Sequence, residues 1–403
     1  MGIDQLPQAT LITGALIEMS VKSEIINIGV IGAGARACVA NAVLKLSPQL
    51  KMTKIYDPDE QACKRWIAES GSTECMICSS EQEIFSDPQI NWVMIFSPNY
   101  LHYSHIMQAF NAGKNVFAEK PLATTIDACR EICNAAKNSG KSFCTGFVLR
   151  CAPIYRLVKE LLDAGEIGRI ISIEANEHIT PFHGAHIMSN WRRFKEQSGS
   201  HILEKCCHDL DLINWFTASL PVKVASFGGL NFFIPENASF KNRFIDPATG
   251  KGHFECDERH EPNAFLTEKT VVDNQVAIME YANGIRVSFT ANSSNVIPER
   301  RMFISGSEGN LIVDMISQEI KLRRLGERYI RNYQFREVNH AGGDAVLARE
   351  LLDTMLNDRP FISSGLEGLN SAVAALAIEE SRVNGKIIDL TEVWQALKSK
   401  LLS

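Results

Sequence analysis

From residue 25 to 147 short apolar runs alternate with helical stretches, and this alternation restricts the fold more than any other feature of the chain. Residues 25–31, 51–56, 74–78, 91–97, 115–118 and 142–147 have the length and composition of buried strands, while 101–112 and 124–139 have helical periodicity. Strand and helix in succession over about 120 residues predict a doubly wound parallel sheet with helices on both faces.

The first strand runs into Gly32-Ala-Gly-Ala-Arg-Ala37 and then a helix through about Leu46, which is the setting that a dinucleotide loop needs. Gly32 permits the tight turn, Gly34 lets a diphosphate approach the backbone, and Ala37 keeps the helix close to the sheet. Ala35 and Arg36 open that helix, where unpaired N–H groups favour an anion. Asp57 ends the second strand, about where a carboxylate accepts from the adenosine ribose hydroxyls. A negative charge there repels a 2′-phosphate, so NAD is expected, with NADP kept possible by Lys64 and Arg65. Before Pro58, Asp57 also reads as a plain turn former.

Ligands collect at the carboxyl ends of parallel strands. Ser97, Asn99 and His102 follow one such end, and Glu119 and Lys120 follow another just before Pro121 stops the ladder. All five should line one crevice, although His102 reads equally as a packing residue.

After residue 148 the pattern changes. A helix at 153–165 and a strand at 170–177 lead to strands at 222–233, 275–281, 285–291, 301–306, 310–314 and 319–325, with a hairpin turn at Asn283-Gly284. Residues 1–24 read as an irregular extension without secretory signal features. The expected division is a dinucleotide-binding domain at 25–148 and, at 149–403, an α+β domain for substrate and oligomerisation with a large, mainly antiparallel, open-faced sheet. Its helices at 343–357 and 365–384 should pack back on the first domain. The open face must find water or another subunit, which predicts a homodimer or homotetramer through that sheet. Residues 235–270 form a polar insertion in which His253, Cys256 and His260 have loosely ligand-like spacing, but no fourth ligand accompanies them and no metal is expected.

A length of 403 residues suits two domains, and a net charge of −6 argues against a dedicated nucleic-acid binder. The basic run from Lys321 to Arg331 fits a solvated strand face. No apolar run reaches the roughly 18 residues of a membrane span. The 11 cysteines are odd in number and scattered, as in a reducing, cytoplasmic setting, and Cys75-Met-Ile-Cys78 reads as core.

The second polar cluster is Glu204-Lys-Cys-Cys-His-Asp-Leu-Asp211, in an otherwise apolar helical stretch. Glu204, His208 and Asp211 fall at i, i+4 and i+7, on one face. Such a face is costly to bury without a task, the alternative being a hydrogen-bonded brace between domains.

Together with Ser97-Pro-Asn-Tyr-Leu-His102, Ala112-Gly-Lys-Asn-Val-Phe-Ala-Glu-Lys-Pro121, Gly165-Glu-Ile-Gly168 and His340-Ala-Gly-Gly-Asp344, these motifs resemble the Gfo/Idh/MocA family of NAD(P)-dependent sugar and cyclitol oxidoreductases. The resemblance implies an active site between two domains. Lys120 matches the family's active-site lysine, His208 its proton acceptor, Glu204 a position commonly held by Asp, and Asp211 a recurrent position. Cys206 stands where glycine is frequent. The implied reaction is hydride transfer between a nicotinamide and a hydroxyl or keto carbon of a sugar, cyclitol or polyol, with His208 bonded or water-bridged to Glu204. Arg150, Trp191, Arg192 and Asp211 are candidate substrate contacts, the first three equally readable as interface packing. Two alternatives stay open: a hydrolase that oxidises its sugar only transiently, and a cofactor-sensing regulator without chemistry.

Overall fold

The computed structural model describes residues 25–402 except 251, 253, 255–262 and 339, so the 1–24 extension and the trio His253, Cys256 and His260 lie outside the described residues. The first sheet comprises β1 (Ile26–Ile31), β2 (Leu50–Tyr56), β3 (Met76–Ile77), β4 (Trp92–Ile95), β5 (Asn115–Ala118) and β6 (Phe143–Thr145). Its strand order is β3-β2-β1-β4-β5-β6 and every pair is parallel. Every residue of β4 is buried, because helices cover both faces, and this is why the run is continuously apolar. Strand order reverses between β1 and β4, which opens a crevice at their carboxyl ends.

The boundaries shift where local chemistry intervenes. The strand expected at 74–78 shrinks to two residues, with Cys75 and Cys78 buried beside it as core thiols. The helix expected from 101 starts at Asn99, directly after Pro98. The dinucleotide loop enters its helix through a 3₁₀ turn, Ala35–Ala37, and the helix Cys38–Leu44 ends two residues early.

The second sheet contains β7 (Ile170–His178), β8 (Pro221–Gly229), β9 (Asn274–Tyr281), β10 (Arg286–Asn292), β11 (Arg301–Gly306), β12 (Gly309–Asp314), β13 (Glu319–Arg324), β14 (Arg331–Gln334) and β15 (Ile388–Asp389). Its order is β14-β13-β12-β11-β7-β10-β9-β8-β15, antiparallel except for β7 against β10. Gly284, at φ 83°, closes the β9–β10 hairpin. In β9, Gln275, Ala277, Met279 and Tyr281 point inward while Val276 and Ile278 face out. The inner face receives the helices His201–Thr217 and Gly365–Asn384. On the outer face Phe227 lies opposite Val276, and Phe227 and Ile278 are 74% and 65% exposed.

The C-terminal helices join the two sheets. Gly343–Asn357 packs on Cys38–Leu44, and Gly365–Asn384 packs on Ile126–Ser139 as well as on the second sheet's inner helix. Close approach explains Gly365, where a Cβ would lie 2.6 Å from the Phe143 ring. Phe232 and Phe233, just before the polar insertion, form a small aromatic core with Phe240, Phe254 and Phe265 of the insertion. Thr267 and Thr270 bond from that insertion to the carbonyls of Met188 and Arg193. The insertion therefore braces the segment leading to the polar helix. Among the described residues no helix is long and apolar enough to cross a membrane.

Candidate active site

The dinucleotide loop is fixed from below and open above. Gly32 sits at φ 92°, and a Cβ there would lie 2.7 Å from the Phe96 carbonyl carbon, whereas a Cβ on Gly34 would meet nothing within 4 Å. Asp57 fastens the loop: its Oδ2 accepts from the Ala33 N–H at 2.8 Å and its Oδ1 from the Asp59 N–H at 2.8 Å. Arg36 donates through Nε to Glu119 Oε1 at 2.8 Å and through Nη1 to Asp344 Oδ1 at 3.0 Å. Its Nη2 is buried with no partner among the described residues. Open space at Gly34 beside an unsatisfied guanidinium nitrogen fits the diphosphate of a dinucleotide. Glu119 also accepts from the Lys120 N–H, and its carboxylate lies over Gly146, where a Cβ would approach to 3.0 Å.

Ser97, Asn99 and His102 shape the crevice with side chains already engaged by protein. His102 is buried between the Pro121 carbonyl, 2.7 Å from Nδ1, and the Ser97 carbonyl, 2.8 Å from Nε2, so it ties two strand ends together. Ser97 Oγ meets Nδ1 of His105 at 2.9 Å, and Asn99 donates to the Ser198 carbonyl at 3.1 Å. His105, in the same helix as His102, escaped the sequence reading because nothing in its spacing marked it as the partner of Ser97.

Lys120 leaves β5 through a cis peptide to Pro121 and crosses to the second sheet's helix. Its Nζ donates to the Glu204 backbone carbonyl at 2.7 Å and stands 4.0 Å from Glu204 Oε1. Arg192, stacked 4.4 Å over Trp191, donates to the same Oε1 at 2.8 Å. The Glu204 carboxylate thus faces two cations instead of bonding directly to a neutral His208. Ser200 caps the helix, accepting from the Leu203 N–H at 3.0 Å.

His208 is buried one turn beyond Glu204, edge-on to Phe147 at 5.7 Å, with Nδ1 unpartnered among the described residues. Burial, then Lys120 and Arg300, hold its pKa well below the usual imidazole range, so it is neutral. Burial opposes the charge of Lys120, but Glu204 and then Cys207 and Glu119 outweigh it and raise the amine. Glu204 is likewise held far below the carboxylate range by Lys120 and Arg192 despite its burial. The site offers a fixed ammonium, a neutral imidazole and a carboxylate that anchors the ammonium.

Arg150 and Asp211 meet each other instead. Arg150 donates from Nε and Nη2 to the two Asp211 oxygens at 2.7 and 2.8 Å, inside the core and beside Trp215. A second buried group, not foreseen from sequence, joins Arg300 to Asp209 at 2.8 and 2.7 Å and to Glu177 at 3.1 Å, with Lys205 3.4 Å from Glu177. Glu177, Cys206 and Asp209 place donor atoms within 4.8 Å of one another. Arg300 and Lys205 already balance the carboxylates, and burial pushes the Cys206 thiol well up, so this trio is an ion-pair knot in character. His340, finally, bonds through Nδ1 to Asp344 Oδ2 at 2.7 Å.

Comparison with known proteins agrees with this fold. Residues 26–147 match the GFO_IDH_MocA family model, described as an oxidoreductase family with an NAD-binding Rossmann fold. Residues 159–393 match the model of that family's C-terminal alpha/beta domain. A 2,7-anhydro-N-acetylneuraminate hydratase of Escherichia coli K12 is 25% identical over 303 residues, 75% of this chain and 71% of that protein. An inositol 2-dehydrogenase of Salmonella paratyphi B is 25% identical over 231 residues, 57% of this chain and 62% of that protein. The solved structure of levoglucosan dehydrogenase with NADH and levoglucosan superposes with a TM-score of 0.76 at 19% identity, over 91% of this chain and all of that one, a likeness of fold.

Proposed function

From the premise that this chain belongs to the Gfo/Idh/MocA family of oxidoreductases, with an NAD-binding Rossmann domain, we propose that it transfers hydride between the nicotinamide and a hydroxyl-bearing carbon of a sugar, cyclitol or related polyol. The observation that carries this reading is the meeting of Lys120, from the first sheet, with the Glu204 turn of the helix that holds neutral His208. The reading divides the chain into a cofactor domain at 25–148 and a substrate domain at 149–403.

Gly32, Gly34, Ala35 and Arg36 would hold the diphosphate, and Asp57 the adenosine ribose, which favours NAD over NADP. Asp57 would have to exchange one of its present backbone donors for the ribose. Bound there, the cofactor supplies the hydride acceptor or donor. The residues do the rest. His208 accepts the hydroxyl proton, a task suited to an imidazole that burial keeps unprotonated. Lys120 stabilises the negative charge that develops on the same oxygen, and Glu204 holds Lys120 in position. Arg192 and Trp191, beside Glu204, are the candidates for contact with the sugar. Arg150 and Asp211 hold the wall behind them.

A second reading has its own support, because one relative is named a hydratase, a reaction without net oxidation. Transient oxidation at the same site would serve such chemistry. Incubating the protein and NAD with levoglucosan, inositol and 2,7-anhydro-N-acetylneuraminate discriminates: NADH that accumulates with turnover supports net dehydrogenation, and product without NADH supports the transient route. No conversion of any sugar or polyol would contradict both.

The exposed Phe227, Val276 and Ile278 support assembly through the outer face of the second sheet into a dimer or tetramer, and the buried free thiols suit the cytoplasm. Sedimentation as a monomer at micromolar concentration would refute the assembly.

A further inference from the structure

Both ring nitrogens of His102 face backbone carbonyls. Nδ1 lies 2.7 Å from the Pro121 oxygen and Nε2 lies 2.8 Å from the Ser97 oxygen. A carbonyl oxygen only accepts, and a neutral imidazole carries a single N–H. One proton therefore serves one of these contacts and leaves a lone pair aimed at the other oxygen. Separations this short are those of N–H···O bonds, and two lone pairs that face each other there repel. The residue is 1% exposed, so the ring has no solvent to turn towards.

Burial draws the His102 pKa below the usual imidazole range, against the pull of the two carbonyl bonds and the Glu119 carboxylate, and Lys120 works with burial. Glu119 divides its charge between this ring and Arg36, which donates to Oε1 at 2.8 Å. His105, one turn along the same helix, adds no charge: burial pushes its pKa down to about 4, and its Nδ1 meets Ser97 Oγ at 2.9 Å. A neutral His102 would gain by swinging its lone pair off one carbonyl, and this ring has not swung. Its contacts are those of a ring with a proton on each nitrogen.

We propose that His102 is a buried imidazolium that clasps the Ser97 and Pro121 carbonyls and, as a positioning residue, sets where the Lys120 amine meets the substrate oxygen. Lys120 stands next to the clasp and is held on each side of it. Its backbone N–H donates to Glu119 at 3.1 Å, its amine donates to the Glu204 carbonyl at 2.7 Å, and the carbonyl of the following residue lies in the grip of His102. The second proton does the positioning. Without it one carbonyl is released, and the strand end that carries Lys120 is no longer tied to the end of β4. A displaced amine stabilises the developing charge less, so the cost falls on turnover and spares cofactor binding. That consequence rests on the polyol reading given above, whereas the protonation does not.

Neutron diffraction from crystals of the full chain, exchanged into D₂O at neutral pD, reads the ring directly. Deuterium should stand on both Nδ1 and Nε2 of His102, and deuterium on one nitrogen alone overturns the proposal. Turnover is then measured on whichever of the three compounds named above the protein converts. His102→Phe keeps a ring in place and removes both bonds; it should lower kcat about tenfold or more while NADH affinity, read from fluorescence, persists. His102→Gln retains one donor, so its loss should be smaller, and it serves as the second variant if the first does not fold. In a Lys120→Ala background either substitution should cost little further, because the group they position is gone. Wild-type turnover in His102→Phe, or losses that multiply in the double variants, would assign the ring to packing and overturn the positioning role. Loss of NADH binding would assign it to the cofactor and overturn that role equally. Conversion of none of the compounds by the wild type would overturn the polyol reading and the positioning role with it, and the deuterium positions would still decide the protonation.

Discussion

The helix His201–Thr217 presents two kinds of buried polar surface, and they differ in completeness. Asp209 and Asp211 are each closed by an arginine that spans both carboxylate oxygens, Arg300 and Arg150. Glu204 and His208 are not closed in this way. Glu204 spends its backbone carbonyl on an amine from the other sheet, and His208 keeps a buried ring nitrogen unpaired among the described residues. Charge pairs that satisfy one another are structural elements. A buried polar atom without a partner awaits a ligand or a water, and here it lies beside the end of a dinucleotide crevice. The contrast separates scaffold from chemistry on a single helix.

The sharpest way to break this contrast is to remove one group from the open side. Lys120→Ala and His208→Ala should each lower turnover by roughly 10²-fold or more while NADH binding, followed by fluorescence, persists. On the closed side the effect should appear in stability. Arg300→Leu leaves Asp209 and Glu177 buried against Lys205 alone and should cost about 3–5 kcal/mol in urea denaturation.

The pH dependence sharpens the same distinction. Burial, with Lys120 and Arg300, keeps the folded His208 pKa well below 6.5, so the unfolded chain binds a proton that the folded one refuses. The stability contributed by neutral His208 is therefore full above about pH 6.5 and lost as pH falls below it. Its acid limb in kcat/KM should likewise lie well under 6.5, and a limb at 6.5 would show that the base is not this buried ring. The smallest effect belongs to Arg192→Ala. One of two cations on Glu204 is lost, and the part-exposed pair should be worth about 1 kcal/mol, or roughly fivefold in kcat/KM.

Much of this was legible in the sequence. The period of apolar residues and the glycine turn announced the six-stranded sheet, and the Glu-Lys-Pro strand end with the Glu-x-x-x-His helix announced the two halves of the cleft. Asp211 was misleading for a geometric reason. It shares a face with Glu204, but seven residues of helix carry it about 10 Å further along the axis, out of the cleft and into the core, where Arg150 waits. Arg300 could not be foreseen as the partner of Asp209 because 91 residues separate them. β14, Arg-Asn-Tyr-Gln, is a short edge strand in which Tyr333 alone packs on the core, too little of an apolar pattern to read. The aromatic core of the insertion was hidden by the polar residues between its phenylalanines.

The most direct measurement of the central claim is a crystal structure of the ternary complex with NADH and a bound polyol. Lys120 Nζ and an imidazole nitrogen of His208 should both lie within about 3.2 Å of the same substrate hydroxyl, with the reacting carbon facing the nicotinamide. A hydroxyl that meets neither group, or a dinucleotide bound away from Gly34 and Arg36, would contradict the account.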